Sequence, residues 1–225
     1  MQVLFTNISE IRDSLVAELE LVSRGEHMYG SQTNTLMYAP SITEELLVAA
    51  ITAFNPTKIW ILSTAHIIDN EHHDGDIVMP NVFLKYEPSI ESVEFNGENR
   101  DSYLHDPLFL HHFCEQADVN FEVFGLSIGG ICVSRPEGMG LVEREQVEFA
   151  YQADCIDELS YDIIDCVKRL EKSADIYPML LMIPGRALPE ELIKLAKNVA
   201  PVLAYLQSDT LPNNTHDDAW DDDTI

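Results

Sequence analysis

Basic residues are scarce: Lys+Arg number 13 against 39 Asp+Glu in 225 residues, a formal net charge of −26. A surface that acidic repels phosphate backbones and anionic lipid heads, which argues against nucleic acid or a membrane surface as a partner. Cysteine is sparse as well. Cys114, Cys132, Cys155 and Cys166 form no C-x-x-C pair, so they read as reduced, buried thiols rather than zinc ligands or a disulfide framework. No stretch approaches the ~18 consecutive apolar residues of a membrane span. The opening MQVLFTNISEIRD has no basic residue before Arg12 and only a short apolar run, unlike a secretory leader. A cytoplasmic location is the expectation. Phosphate-cradling loops of the G-x-G-x-x-G or G-x-x-x-x-G-K type are missing too.

What is present is an alternation of short apolar runs with segments of helical period, the pattern of a layered α/β domain over residues 1–206. Val3–Phe5 reads as a strand, and Ser9 as the cap of a helix carrying Ile11, Leu15, Leu19 and Val22. Thr35–Tyr38 reads as a strand. Ser41-Ile42-Thr43-Glu44 reads as a capping box for a helix through Phe54 that Asn55-Pro56 stops. Lys58–Ser63 lacks polar alternation, which suits a strand covered on both faces. Asp76–Tyr86 reads as one extended strand with Pro80 at an edge or bulge. Further on, Pro107–Ala117 and Glu143–Tyr151 fit short helices, while Phe121–Leu126 and Ile131–Ser134 fit strands. From Asp157, Leu159, Ile163, Val167 and Leu170 recur at helical spacing, Met179–Ile183 reads as a buried strand, and Pro189 opens a last helix that Pro201 kinks. Trp60, Phe83, Tyr86 and Phe109 read as core.

Two local patterns suggest chemistry and then fail on spacing. Asp69–Asp76, with His72 and His73, contains the residue types of a zinc or iron site, and so of a metal-dependent hydrolase. Adjacent histidines point to opposite sides of a strand, however, and no His-x-x-x-His fixes two nitrogens on one ion, so no metal site is assigned. Gly125-Leu126-Ser127-Ile128-Gly129 has the letters of a nucleophile elbow but leads into another apolar run instead of a helix. It reads as a small-residue strand junction.

Read in order, four segments resemble the nucleoside phosphorylase and 5'-methylthioadenosine/S-adenosylhomocysteine nucleosidase superfamily. Gly75-Asp76-Ile77-Val78 matches its GDIV strand, and Gly130–Ser134 is similar to its G-x-x-x-S-G-D segment. Ile156–Tyr161 resembles its V-D-M-E-S-Y helix start, and Pro178–Leu181 the strand that leads to its S-D. The resemblance runs from about Val3 to about Ala200. It implies a three-layer αβα sandwich around a mixed β-sheet, a nucleoside or purine as ligand, no cofactor, and a homo-oligomer.

The departures fall where that superfamily does its chemistry. Thr64-Ala65-His66-Ile67-Ile68 replaces the glycine-rich turn T-G-S-A-G-G, which leaves a place for phosphate in doubt. The ribose-binding glutamate falls on Leu159, with Glu158 beside it, and the catalytic glutamate of the first helix falls on Ile11, with Glu10 beside it. The serine and acid that serve the leaving purine fall on Arg186 and Ala187. The resemblance therefore implies Glu158 and Glu10 as catalytic candidates, each offset by one, and His66, Ser134, Asp157 and Arg186 as ligand-binding candidates. It leaves two expectations side by side: a nucleoside-binding protein with weak or no N-glycosidic cleavage, and a non-catalytic pseudoenzyme serving as a binding or assembly module.

Residues 207–225 carry six aspartates and no basic residue, with too little apolar surface to offset ordering entropy, and read as a flexible acidic tail. Deleting everything after Gln207 is expected to leave the melting temperature within about 2 °C of the full chain. A large drop in a calorimetric scan would show that Trp220 or its neighbours dock on the body.

Overall fold

The computed structural model describes residues 1–32, 34–68, 75–86, 101–102, 126–135, 147, 150–183 and 188–205. Among them four helices flank a mixed sheet of twelve strands. The first strand, β1 (Gln2–Thr6), lies between two parallel neighbours, β4 (Asn34–Tyr38) and β5 (Lys58–Ile67). Antiparallel β2 (Val22–Ser23) and β3 (Met28–Gly30) extend the edge beyond β4. On its other edge β5 runs parallel to β12 (Asp175–Ile183), from Lys58 opposite Asp175 to His66 opposite Ile183. Beyond it lie β6 (Ile77–Met79), antiparallel to β12, and β9 (Leu126–Ile128), parallel to β6. A second arm continues from β11 (Cys155–Asp157) through β10 (Ile131–Ser134) and β7 (Val82–Lys85) to β8 (Asp101–Ser102).

Alternation along the central strands sorts the core into two layers. Leu4, Trp60 and Leu62 face one side, where α1 (Ser9–Glu18) and α4 (Pro189–Tyr205) supply Ile11, Leu15, Leu192 and Leu195. Val3, Phe5, Ile59 and Ile61 face the other, against Leu47 and Ile51 of α2 (Glu44–Phe54) and Ile163 and Val167 of α3 (Ser160–Arg169). The result is the expected three-layer αβα sandwich. Trp60 is fully buried, stacks on Tyr177 at 4.5 Å between centroids, and donates its Nε1–H to Gln2 Oε1 at 2.8 Å. Cys132, Cys155 and Cys166 are buried and free. Among the described residues no helix is long and apolar enough to cross a membrane.

Several local expectations shift. The cap of α1 is Ile8, with no side-chain bond, because Thr6 Oγ1 turns back to accept from the Ile8 N–H at 3.2 Å. In the second helix Thr43, not Ser41, is the cap, accepting from Leu46 N. The expected strand over 76–86 is broken at Pro80-Asn81 into β6 and β7, which pair with different neighbours. Strand β5 continues to Ile67, through the residues expected to form the turn at 64–68, because β12 pairs with it as far as His66. The helix expected from Asp157 starts at Ser160, since β11 claims Cys155–Asp157 for the sheet. Of Glu143–Tyr151, Val147, Ala150 and Tyr151 are described, helical and buried. Pro107–Ala117, Phe121–Gly125, Cys114, Phe109, the histidines of the 69–74 segment, Arg186, Ala187 and the tail lie outside the described residues.

The Gly129–Gly130 junction joins β9 to β10 with φ of +107° and +96°, both in the region that favours glycine. At Gly129 an added Cβ meets open space, whereas at Gly130 it would stand 2.7 Å from Asp154 Oδ2. That oxygen accepts the Ile131 N–H at 2.5 Å, tying β10 to the segment before β11. Gly130→Ala is expected to cost about 3–5 kcal/mol, from backbone strain plus the displaced charge-assisted bond, and Gly129→Ala about 1–2 kcal/mol, from strain alone. Urea denaturation midpoints of the two variants check the order.

Candidate functional site

The site begins with an exchange of partners along one edge of β5. β12 occupies the opposite edge from Lys58 to His66. The remaining edge pairs with β1 only as far as Ile61, opposite Phe5, and with antiparallel β11 only at His66 and Ile67. β1 travels along β5 and β11 runs against it, so their carboxyl ends converge from opposite directions on the interval Leu62–Ala65. Strand carboxyl ends at such a switch carry loops instead of ladder bonds, which is where open α/β sheets form their crevices.

A cavity of about 620 Å³ fills this junction, within the range of small-molecule sites. One wall is Asn7–Glu10, the exit from β1 and the first turn of α1. The floor is Ser63, Thr64 and His66 of β5, and the facing wall is Ile156, Asp157 and Glu158 at the end of β11. Tyr38 from β4 and Leu188, Pro189 and Leu192 at the start of α4 complete it. Ser63 Oγ donates to Asn7 Oδ1 at 3.0 Å, binding the floor to the first wall. Glu10 accepts from the Ser9 hydroxyl at 2.8 Å. Tyr38 is backed by the Arg12 guanidinium, 4.2 Å from its ring centroid.

The consecutive acids Asp157 and Glu158 have different duties. Asp157 is 1% exposed, and its carboxylate accepts from the Ser134 and Ser160 hydroxyls and from the N–H groups of Ser160 at 2.8 Å and Leu159 at 3.3 Å. Ser134 Oγ in turn accepts the Tyr161 N–H at 2.9 Å. These bonds fasten the ends of β10 and β11 to the first turn of α3 and satisfy N–H groups that helix starts leave over. Glu158, next along the chain, is exposed and lines the cavity. Nearby, burial, a hydrogen bond with Cys155 and the closeness of Asp157 push the Cys132 thiol well above its ordinary range, which keeps it protonated and unreactive.

The sequence candidates therefore divide. Glu10, Glu158, His66 and Asp157 meet at the one cavity. Ser134 lines a smaller adjoining cavity of about 250 Å³ and spends its hydroxyl on Asp157 and Tyr161. Arg186 lies outside the described residues. The positions that align formally with the superfamily's glutamates, Ile11 and Leu159, are 0% and 4% exposed and belong to the core. Glu10 and Glu158 line the large cavity, and Ile11 and Leu159 do not. Sequence reading passed over Asn7, Tyr38 and Thr64. Their signal was positional, since Asn7 and Tyr38 are polar groups at the carboxyl ends of apolar strands. Among the described residues no cluster of three or more metal-ligating side chains occurs.

No protein-family model matches the chain, and no curated protein matches it in sequence. Solved structures do match in fold. Campylobacter jejuni 5'-methylthioadenosine/S-adenosylhomocysteine nucleosidase superposes with a TM-score of 0.68 at 13% identity, covering 92% of this chain and 97% of that one. A futalosine hydrolase mutant of Helicobacter pylori gives 0.68 at 10% identity, covering 91% and 98%. The Helicobacter pylori 5'-methylthioadenosine/S-adenosylhomocysteine nucleosidase, solved with butyl-thio-DADMe-Immucillin-A, gives 0.62 at 11% identity, covering 92% and 95%. The chain shares the α/β fold of these nucleosidases.

Because Asp157 serves the fold, Asp157→Ala is expected to cost about 3 kcal/mol by stranding buried hydroxyl and N–H donors. Glu158→Ala, on the cavity wall, is expected to change stability by less than about 0.5 kcal/mol. Chemical denaturation of both variants gives the comparison.

Proposed function

We propose that the large cavity binds a nucleoside, with Glu158 and Glu10 on opposite walls addressing the sugar, and that the protein cleaves the N-glycosidic bond slowly or not at all. The observation that supports this most is the convergence of those two carboxylates on one cavity that Ile11 and Leu159 do not line. Carboxylates beside a ribosyl ring suit it twice. They accept hydrogen bonds from its hydroxyls in the ground state, and they stabilise the positive charge of an oxocarbenium-like transition state. In this reading Glu10, which accepts from the Ser9 hydroxyl, takes the proton from an attacking water.

Cleavage also needs a proton on the departing base. From Ile183 to Pro189 the chain reads Ile-Pro-Gly-Arg-Ala-Leu-Pro and carries no carboxyl group, although the end of β12 is where the resemblance implies the acid. Glu191, the next acid but one, accepts the Leu188 N–H at 2.8 Å as part of the start of α4. A positioned general acid contributes about 10²–10⁴ in rate, so its loss leaves sugar recognition intact and the reaction slow. Arg186 is a group for the ligand's polar edge rather than an acid, since a guanidinium stays charged at neutral pH. A homo-oligomer remains part of this proposal.

Calorimetric titration with adenosine is expected to show binding that Glu158→Gln weakens about tenfold, the worth of a bond to a charged group. Chromatography should find only traces of adenine after hours at micromolar protein. Turnover of about one per second, a common value for enzymes, would show that another group protonates the base. If adenosine, inosine, uridine and methylthioadenosine all fail to bind, the nucleoside reading is wrong.

A further inference from the structure

Among the described residues, the large cavity and its smaller neighbour have two lining residues in common, Asn7 and Glu158. They come from different elements: Asn7 follows β1, and Glu158 follows β11. The ladder between β1 and β5 ends with Phe5 opposite Ile61. Two residues further along each chain, in the same phase of the pleat, stand Asn7 and Ser63, and side chains carry the pairing on where the backbone ladder stops. Ser63 Oγ donates to Asn7 Oδ1 at 3.0 Å, and Ser63 is 2% exposed, so the contact is shielded from water. Around Asn7, the N–H of Ile8 donates to Thr6 Oγ1 at 3.2 Å, which closes a turn about it. The amide is thus held by its oxygen. Among the described residues its nitrogen meets no acceptor, and the side chain is half-buried, which leaves two N–H donors for whatever enters between the cavities. Glu158, the other shared residue, is exposed there and carries the complementary chemistry, since an ionised carboxylate only accepts.

We propose that Asn7 is a specificity-determining residue that clamps one sugar hydroxyl together with Glu158, the amide donating to the hydroxyl oxygen and the carboxylate accepting its proton; this rests on the nucleoside reading above. The protein then prefers nucleosides that carry this hydroxyl to their deoxy analogues. A hydroxyl is the group that suits such a pair, because it has one proton to give and two lone pairs to receive. An ether or a carbonyl offers nothing to Glu158, and an ammonium offers nothing to Asn7. Pre-organisation supports the assignment. An asparagine free to rotate presents its oxygen as readily as its nitrogen, whereas the Ser63 hydroxyl takes the oxygen and fixes which end meets the ligand. An analogue without the hydroxyl leaves both groups without a partner in a partly enclosed space, and that is penalised more than a made bond is rewarded.

The test titrates adenosine and its 2′-deoxy, 3′-deoxy and 5′-deoxy analogues by calorimetry into the full chain and into its Asn7→Ala and Asn7→Asp variants. In the full chain one analogue is expected to bind at least about tenfold weaker than adenosine. Asn7→Ala should weaken adenosine about three- to tenfold, the worth of one neutral hydrogen bond, and leave that one analogue where it was, because the bond is already missing from it. Asn7→Asp keeps the side-chain shape and the acceptor for Ser63, so it decides the matter where Asn7→Ala fails to fold. It should weaken adenosine at least as much, since one hydroxyl proton cannot serve two carboxylates, and close most of the gap between adenosine and that analogue. A loss shared equally by all four ligands assigns Asn7 to the shape of the site and overturns the clamp, as do unchanged affinities in the variants. If the full chain binds none of the four, the nucleoside reading fails and the clamp with it; binding without this selectivity discards the clamp alone.

Discussion

Strand β5 must satisfy two strands on one edge, and most of what is distinctive here depends on that. β12 takes one edge from Lys58 to His66, while the other is shared in succession by β1 and β11, which run in opposite senses. The two cannot meet end to end without collision, so an interval of β5 is left to side chains and loops. That gap is the cavity, and its walls are whatever residues follow the two strands. A uniform parallel sheet would have placed Asn7–Glu10 and Ile156–Glu158 at separate crevices; the reversal of β11 brings them to one.

A junction of this kind needs fastening, and Asp157 supplies it. Its carboxylate joins Ser134 of β10, its own strand β11 and the first turn of α3. Glu158, the first residue after β11, is exposed on the cavity wall. A structural duty and a place on the cavity wall thus fall to neighbouring acids that composition cannot tell apart. The same division separates Ile11 from Glu10 on α1, where a step of one residue turns a side chain by about 100°.

Likeness of fold to nucleosidases at 13% identity and below establishes the scaffold and leaves function to the site. Here the large cavity carries two carboxylates, Glu10 and Glu158, on facing walls, and Thr64–His66 beside them is regular strand paired with β12.

The sequence by itself determined the layers and the order of most central elements. Unbroken apolar runs such as Lys58–Ser63 and helical spacing such as Leu159, Ile163 and Val167 record burial locally, and burial is what builds a core. The segments that resemble the nucleosidase superfamily carried the fold class for the same reason. Sequence could not decide where β5 ends, because Thr64–His66 is extended through pairing with β12, a partner more than 100 residues distant in the chain. Nor could it decide that Pro80-Asn81 divides one extended run between two neighbours. For the site it named Glu10 and Glu158 as candidates, while tertiary structure decided that they, and not Ile11 and Leu159, line the large cavity. That choice is an orientation, fixed by helix phase and the Asp157 bonds, and a linear pattern of residue types does not contain it.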